Sequence, residues 1–127
     1  MDQQKVVERK RKVVKTLVSG VGAKMKQNKV KVVKEEAVID GKTAEGFQVR
    51  SASGAYIAKK LIIATGSSAA VPPIPGVKEN LGNFVVTNRE VLELTEIPKE
   101  FVIIGGGVIG LEMAAYYAAV GSHVTNR

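Results

Sequence analysis

The sequence predicts an α/β fold in which a helix and a three-stranded antiparallel meander precede a strand–turn–helix–strand unit. Three observations support this prediction. Apolar residues recur at helical spacing near the N-terminus, and short alternating runs separated by turn residues follow. Further along, an apolar run opens directly into a cluster of glycines. The length of 127 residues leaves room for about one domain.

The composition excludes several kinds of chemistry. With 45% apolar and 24% charged residues the chain has an ordinary globular composition, and its charged N-terminus favours a cytoplasmic location. No cysteine is present, so the chain supplies no disulfide, thiolate metal site or cysteine nucleophile. Its one histidine, His123, excludes a histidine metal cluster. No apolar run approaches the roughly 20 residues that span a membrane.

Positive charge is concentrated at the start of the chain. The net charge is +7, and the first 34 residues hold 11 basic side chains against two acidic ones. Such a segment can attract nucleic acid or an acidic partner, or it can be the solvated side of a helix followed by a lysine-edged strand. No aromatic residue interrupts the basic run to stack on bases. The solvated surface is therefore favoured, and a nucleic-acid partner is not.

The first element is a helix predicted over Gln3–Lys26. The basic cluster from Arg9 to Lys12 lies opposite an apolar stripe. Gly20 and Gly22 weaken the helix toward its end. The stripe consists of Val6, Val7, Val13, Val14, Leu17, Val18 and Val21.

Alternating runs after the helix predict the meander. We expect its first strand at Val30–Lys34, continued by Ala37–Ile39 after an acidic pair. The dipeptides Asp40-Gly41 and Ser53-Gly54 are typical of turns. The remaining strands are expected at Phe47–Ser51 and Ala55–Lys59.

Two further short strands and a proline-rich connection are predicted next. Leu61–Ala64 is a short apolar strand, and the segment from Ser67 to Gly76 holds three prolines that exclude an interior helix or central strand. Phe84–Val86 is the second strand. Thr87 and Glu90 then have the spacing of a capping box, which predicts a brief helix over Arg89–Leu94.

The last unit is a buried strand, a glycine turn, a helix and a second strand. Phe101–Ile104 is apolar and rich in β-branched residues, as parallel strands are. The helix is expected to begin at about Val108 and to stop at Gly121. Ser122–Thr125 begins the second strand.

The glycines of this turn match the dinucleotide fingerprint G-x-G-x-x-G at Gly105, Gly107 and Gly110. The first permits a tight turn, and the second lacks a Cβ, so that a pyrophosphate can approach the backbone. The third lets the helix lie close to the strand. The following helix points its free N–H groups and positive dipole end at the phosphates.

The order of these segments resembles one family, the flavin-dependent pyridine nucleotide-disulfide oxidoreductases, and within it the members that oxidise dihydrolipoamide. The helix RKRKVVKTLVSGV leading into NKVKVV resembles those members most specifically. LIIATGS is similar to the second flavin-contact motif, and VPPIPG to the crossing between the flavin and nicotinamide domains. IPKEFVIIGGGVIGLEMA resembles the opening of the nicotinamide domain.

The resemblance implies a domain division and two cofactors, FAD and NAD. Residues 1–70 correspond to part of the FAD domain, 71–85 to an inter-domain linker and 86–127 to a truncated NAD-binding βαβ unit.

The resemblance also implies individual cofactor contacts. Thr65 and Gly66 would lie beside the flavin nucleotide, and the backbone of Ala37 would contact its adenine. Glu112 matches a glutamate that pairs with a lysine near the flavin. We expect it here to be a first-turn residue favoured by the helix dipole. The implied cofactor-binding set is Ala37, Ala64, Thr65, Gly66, Gly105, Gly107, Val108, Ile109, Gly110 and Glu112.

The sequence also departs from the family pattern. Many relatives place a tyrosine at the position of Val108, where it gates nicotinamide access. The acidic residue expected about 20 residues after the glycines, which would hold the ribose, is missing, and Asn126 and Arg127 stand just before that point. His123 does not match the catalytic histidine. The family's first glycine fingerprint and redox cysteine pair are absent too.

Three functions follow as expectations. The first is a segment of a flavoprotein that passes electrons from dihydrolipoamide through a disulfide and FAD to NAD, inactive alone and holding neither cofactor stably. The second is a non-catalytic module that binds a further copy or the remainder of the parent enzyme through its open strands. The third, nucleic-acid binding by the basic helix, is the least favoured.

Overall fold

The computed structural model describes all 127 residues and confirms the predicted α/β fold. Two groups of residues form separate compact units: residues 1–18 with 69–127, and residues 19–68. Neither helix has the length and apolar content needed to span a membrane. The elements are α1 (Gln3–Gln27), β1 (Val38–Lys42), β2 (Phe47–Ser51), β3 (Gly54–Ala58), β4 (Glu100–Ile103), α2 (Val108–Ala119) and β5 (His123–Asn126), with 3₁₀ turns at Lys78–Asn80 and Val91–Glu93.

The N-terminal helix was predicted correctly. Its first turn is capped by Asp2, whose carboxylate accepts a hydrogen bond from the backbone N–H of Lys5 at 3.1 Å. Of the apolar stripe, only Val7 is fully buried. From Val13 to Val21 the apolar side chains of α1 are 49–65% exposed.

The antiparallel meander is confirmed, with strand order β1-β2-β3. The predicted strand at Val30–Lys34 is wrong, because no strand of the chain pairs with it. The predicted turn at Asp40-Gly41 is also wrong. Gly41 lies within β1 at a shift in register, and the reversal comes later, where the N–H of Thr43 donates to the Gly46 carbonyl at 2.8 Å. The alternating pattern correctly predicted a strand here, but the strand continues through Asp40 and Gly41 instead of ending at them.

Two other predicted strands do not form. Leu61–Ala64 pairs with no strand of the chain, and Ile62 and Ile63 are 88% and 69% exposed. Phe84–Val86 forms only one isolated bridge, between Val85 and Leu81. Apolar composition favours a strand, but a strand exists only where a neighbouring backbone accepts its hydrogen bonds.

The capping box at Thr87 and Glu90 forms as predicted, because the Glu90 carboxylate accepts from the backbone N–H of Thr87 at 2.7 Å. The hydroxyl of Thr87 accepts from the N–H of Arg89 at 3.3 Å. The helix that follows is shorter than expected, a single 3₁₀ turn at Val91–Glu93.

The strand–turn–helix–strand unit is confirmed, and β4 and β5 run parallel. Gly121, with φ of +107°, ends α2 as predicted. One face of the two-stranded sheet packs against α2, where the Phe101 and Tyr117 rings lie 4.4 Å apart. Tyr117, Val91 and Val7 are the three fully buried apolar residues of the chain.

Candidate nucleotide-binding site

The turn after β4 bends at Gly105. Its N–H donates to the carbonyl of Arg127 at 2.8 Å, so the parallel ladder continues to this residue before the chain leaves the sheet. At φ of +111°, Gly105 has a conformation that residues with a Cβ rarely adopt. The conformation therefore accounts for the first glycine of the fingerprint.

The third glycine is required by packing. A Cβ placed on Gly110 would lie 2.4 Å from the carbonyl oxygen of Gly105 and 3.3 Å from Cγ2 of Ile103. The first turn of α2 therefore touches the end of β4 directly. The structure brings Gly105 and Gly110 together as the fingerprint predicts.

The second glycine has no such requirement from its own chain. Gly107 is the N-cap of α2 with φ of −72° and ψ of 172°, which any residue can adopt. A Cβ placed there would have no atom within 4 Å. The space beside this backbone is open, and its lack of a side chain permits close approach by a group from outside the chain.

The beginning of α2 is electropositive. Its first three N–H groups, on Val108, Ile109 and Gly110, precede the first full helical turn and have no carbonyl partner within the helix. No acidic residue lies in the first turn. Glu112 is exposed and lies beyond that turn, so the expectation that it is a first-turn residue is wrong. The helix end is therefore left with its positive partial charge, which favours an anion.

The sequence analysis did not predict the two tyrosines whose hydroxyl groups tie α2 to other parts of the chain. The Tyr117 hydroxyl donates to the Val91 carbonyl at 2.9 Å, and the Tyr116 hydroxyl donates to Oε1 of Gln3 at 2.6 Å. Burial, and then the neighbouring Tyr116, raise the pKa of Tyr117. The sequence did contain one indication of these contacts, because two adjacent tyrosines on one helix are unusual in a chain with 5% aromatic residues.

The predicted flavin-contact residues lie in the other unit and are all exposed: Ala37, Ala64, Thr65 and Gly66. Gly66 has φ of +75°, and a Cβ there would meet no atom within 4 Å. Ala37 lines a cleft of about 250 Å³ with Val33, Val49 and polar neighbours. No hydrogen bond joins Ala37 to the Ala64–Gly66 segment.

Polar contacts order the cleft beside Ala37. The Glu35 carboxylate accepts from the N–H of Ser53 at 2.8 Å, and the ammonium of Lys31 lies 4.9 Å from the centre of the Tyr56 ring. Hydrogen bonds from Ser51 and Ser53 lower the pKa of Glu35, with a smaller contribution from Lys31. These contacts hold the segment before β1 against the meander.

The chain resembles proteins of known family along nearly its full length. The family described as pyridine nucleotide-disulphide oxidoreductase matches residues 1–126. A dihydrolipoyl dehydrogenase from Acholeplasma laidlawii is 48% identical over 125 residues, which is 98% of this chain and 36% of that protein. One from Cupriavidus necator is 38% identical over 125 residues, 98% of this chain and 26% of that protein. The chain thus spans about a quarter to a third of the length of these relatives.

A solved structure shares the fold. The HOCl-induced flavoprotein disulfide reductase RclA from Escherichia coli, in the Cu(II) complex of a cysteine-to-serine mutant, superposes with a TM-score of 0.82 at 29% identity. The match covers 99% of this chain and 28% of that one. A match to the family over 126 of 127 residues decides the membership. This chain belongs to the pyridine nucleotide-disulphide oxidoreductase family.

Proposed function

We propose that the chain supplies the dinucleotide-binding turn, and part of the flavin site, of an NAD-linked flavoprotein of the dihydrolipoyl dehydrogenase type. The proposal is supported by its similarity to dihydrolipoyl dehydrogenases, at up to 48% identity among those described above. In such an enzyme FAD relays electrons from a dithiol to NAD. Residues 86–127 would form the nicotinamide part, 1–70 the flavin part and 71–85 the connection.

The observation that carries the proposal is the open space at Gly107. Gly105 is explained by its backbone conformation and Gly110 by its contact with Gly105, but nothing within the chain explains Gly107. A pyrophosphate resting on this backbone would explain it. The same group would accept hydrogen bonds from the first amides of α2, including those of Val108 and Ile109.

On the flavin side, the proposed contacts use backbone rather than side chains. Thr65 and Gly66 would lie against the flavin nucleotide, with Gly66 allowing close approach, and Ala37 would present its backbone to the adenine. Ala64 would precede them in the same exposed segment. Glu112 would pair with a lysine near the flavin, and that lysine would come from other polypeptide.

Alone, the chain is proposed to hold neither cofactor stably and to need further polypeptide, either a second copy or the remainder of a longer flavoprotein. Each group of contacts covers only one part of a large cofactor. Weak binding is expected because the few contacts must offset the freedom that the cofactor loses.

The experiment is an NMR titration of the ¹⁵N-labelled chain with millimolar NAD. We expect shift changes confined to the amides from Gly105 to Leu111. Gly107→Val should remove these changes, and a Cβ placed there meets no atom of the chain within 4 Å. The free energy of unfolding should fall by no more than about 1 kcal/mol, because valine is a poorer N-cap residue than glycine.

Gly106→Val is the matched control. A Cβ at Gly106 also meets no atom within 4 Å, but this position is not one of the three fingerprint glycines. The control should retain the shift changes. Unchanged binding in Gly107→Val, or no shift changes at the turn in the unmodified chain, would contradict the proposal.

A further inference from the structure

Alternate side chains of the segment before β1 face the antiparallel meander. Four of them line the cleft beside β2 and β3, whereas the residues between them do not. A spacing of two residues is what an extended chain gives. The four are Lys31, Val33, Glu35 and Ala37, and the meander contributes Val49, Ser51 and Tyr56 to the cleft. The row of side chains that ends at Ala37 therefore lies against the meander.

The Glu35 carboxylate is the polar link between this segment and the meander. It accepts a hydrogen bond at 2.8 Å from the N–H of Ser53, in the turn between β2 and β3. The Ser53 hydroxyl lies 3.1 Å from the Tyr56 hydroxyl and 3.2 Å from that of Ser51. The Lys31 ammonium lies 4.9 Å from the centre of the Tyr56 ring. We call this group of contacts the Glu35 clasp.

Ala37 lies between two fixed points of the chain. On one side Val38 begins β1 and pairs with Arg50 of β2. On the other side a single residue separates Ala37 from Glu35, whose carboxylate is bonded to Ser53. All of these contacts lie within the unit of residues 19–68. The clasp therefore fixes the course of the backbone just before Ala37, and β1 fixes it just after.

We propose that Glu35 is a positioning residue for adenine binding, because its clasp on Ser53 holds the backbone of Ala37 in the place where the base would be bound. The inference rests on the proposed function, in which Ala37 presents its backbone to the adenine. Glu35 acts through Ala37 and not by contact with the base. A contact that is already in place binds more tightly, because less conformational freedom is lost on binding.

A carboxylate suits this role because its ionised form only accepts hydrogen bonds, and charge strengthens them. Hydrogen bonds from Ser51 and then Ser53 lower the pKa of Glu35. The clasp is therefore complete above the unfolded pKa and is lost as pH falls through the lower folded value. Lys31 and Tyr56 are the other titratable residues that line the cleft. Lysine and tyrosine side chains ordinarily titrate at about pH 10, far above the range in which a carboxylate changes its charge.

The first test needs no nucleotide. Glu35→Ala removes the acceptor of the Ser53 N–H, so hydrogen exchange at the Ser53 amide should become about tenfold faster. Glu36→Ala is the matched control, because Glu36 is the neighbouring glutamate and is exposed, with no hydrogen bond or ion pair from its side chain. It should leave exchange at Ser53 unchanged.

The second test is an NMR titration with millimolar adenosine monophosphate as the adenine probe. In the unmodified chain we expect shift changes at the amides of Ala37 and Val38. Glu35→Ala should weaken the apparent affinity about fivefold, because binding must then order the backbone. Glu35→Gln keeps an oxygen that can accept from Ser53 and should restore most of the affinity. Glu36→Ala should bind like the unmodified chain.

A pH profile without nucleotide distinguishes the ionised clasp from a steric role of the Glu35 side chain. In the unmodified chain the Ser53 amide shift should titrate between pH 7 and pH 3, with its midpoint below the ordinary pKa of glutamate. Glu35→Gln should abolish this titration, whereas Glu36→Ala should retain it.

The outcomes separate the clasp from the proposed function. Unchanged exchange at Ser53 in Glu35→Ala, equal effects of the two alanine variants, or a titration that persists in Glu35→Gln would overturn the clasp. Equal affinity of Glu35→Ala and the unmodified chain for adenosine monophosphate would overturn the positioning role and leave the proposed function intact. No shift change at Ala37 in the unmodified chain would instead contradict the proposed adenine contact, and with it the positioning role.

Discussion

At the scale of single residues, the three glycines of one motif are required for three different physical reasons. Gly105 adopts a left-handed backbone conformation, and Gly110 lies against a carbonyl at a distance that excludes a side chain. Gly107 is constrained by neither conformation nor packing. Substitutions at these positions should therefore affect different properties.

Gly110→Ala should destabilise the fold. Its methyl group would lie 2.4 Å from the Gly105 carbonyl, which is backbone and moves only if α2 shifts away from β4. We expect a loss of about 3 kcal/mol in the free energy of unfolding, measured by urea denaturation. Gly106→Ala should change it by less than about 0.5 kcal/mol. Equal stability of both variants would show that α2 does not pack closely against the Gly105 carbonyl.

Tyr117→Phe tests the hydrogen bond that ties α2 to Val91. The variant keeps the ring contact with Phe101 but removes the hydrogen bond to the Val91 carbonyl. Because both groups are buried, we expect a loss of about 1 kcal/mol. Tyr56→Phe, at a partly exposed tyrosine bonded to Ser53, is the control and should have a smaller effect. Urea midpoints of the two variants would decide.

At the scale of elements, α1 illustrates how a long helix is fixed by a few contacts. Val7 is its one buried apolar residue, and Gln3 donates to the Leu94 carbonyl at 3.2 Å. Lys10 and Arg11 both pair with Glu93 in the 3₁₀ turn. From Arg11 to Gln27 the helix is exposed and depends mainly on its own backbone hydrogen bonds.

The pairing of Glu93 predicts a pH dependence. Hydrogen bonds from Lys10, then from Arg11, lower the pKa of Glu93 below its ordinary value. A carboxylate with a lowered pKa in the folded state stabilises that state above its unfolded pKa, and the contribution is lost as pH falls through the folded value. Glu93→Gln should therefore reduce the stability difference between pH 7 and pH 3, measured by urea denaturation.

Glu96→Gln serves as the control for this pH effect, because Glu96 forms no ion pair or hydrogen bond. A stability difference that is the same in Glu93→Gln and in the unmodified chain would show that the pairing with Lys10 and Arg11 does not stabilise the fold.

The exposed end of α1 gives a prediction of opposite sign. Gly22 lies inside the helix, and a Cβ there would meet no atom within 4 Å. Gly22→Ala should raise the free energy of unfolding by about 0.5–1 kcal/mol, because alanine restricts the unfolded chain more and favours the helix. Thermal melting followed by circular dichroism measures the change. A lower melting temperature would mean that Gly22 has a role that α1 in this structure does not reveal.

At the scale of the whole molecule, the chain has a glycine turn of the dinucleotide-fingerprint type but no cysteine side chain for redox chemistry. It contains no cysteine, so it supplies no thiol of its own for exchange with a dithiol. We therefore expect the purified chain, given dihydrolipoamide, FAD and NAD, to form NADH no faster than a sample without protein. A purified dihydrolipoyl dehydrogenase provides the positive control. Sustained turnover by the chain would contradict the assignment of chemistry to other polypeptide.

Much of the local structure was predictable because it depends on neighbours along the chain. The helical period fixed α1, the alternation fixed β2 and β3, and the glycine turn fixed the start of α2 at Val108. The capping contact of Glu90 on Thr87 followed from spacing alone. Each of these depends on residues within about four positions of one another.

The sequence by itself determined α1 and α2, the meander, the parallel unit and the candidate turn with Gly105, Gly107 and Gly110. Only the tertiary structure decided that Leu61–Ala64 and Val30–Lys34 are not strands, and that Gln3, Tyr116 and Tyr117 support α2. The reason is physical. A turn or a helix is satisfied by hydrogen bonds and steric limits within its own few residues, whereas a strand or a buried hydroxyl needs a partner from elsewhere in the chain, and only the folded structure shows which partners arrive.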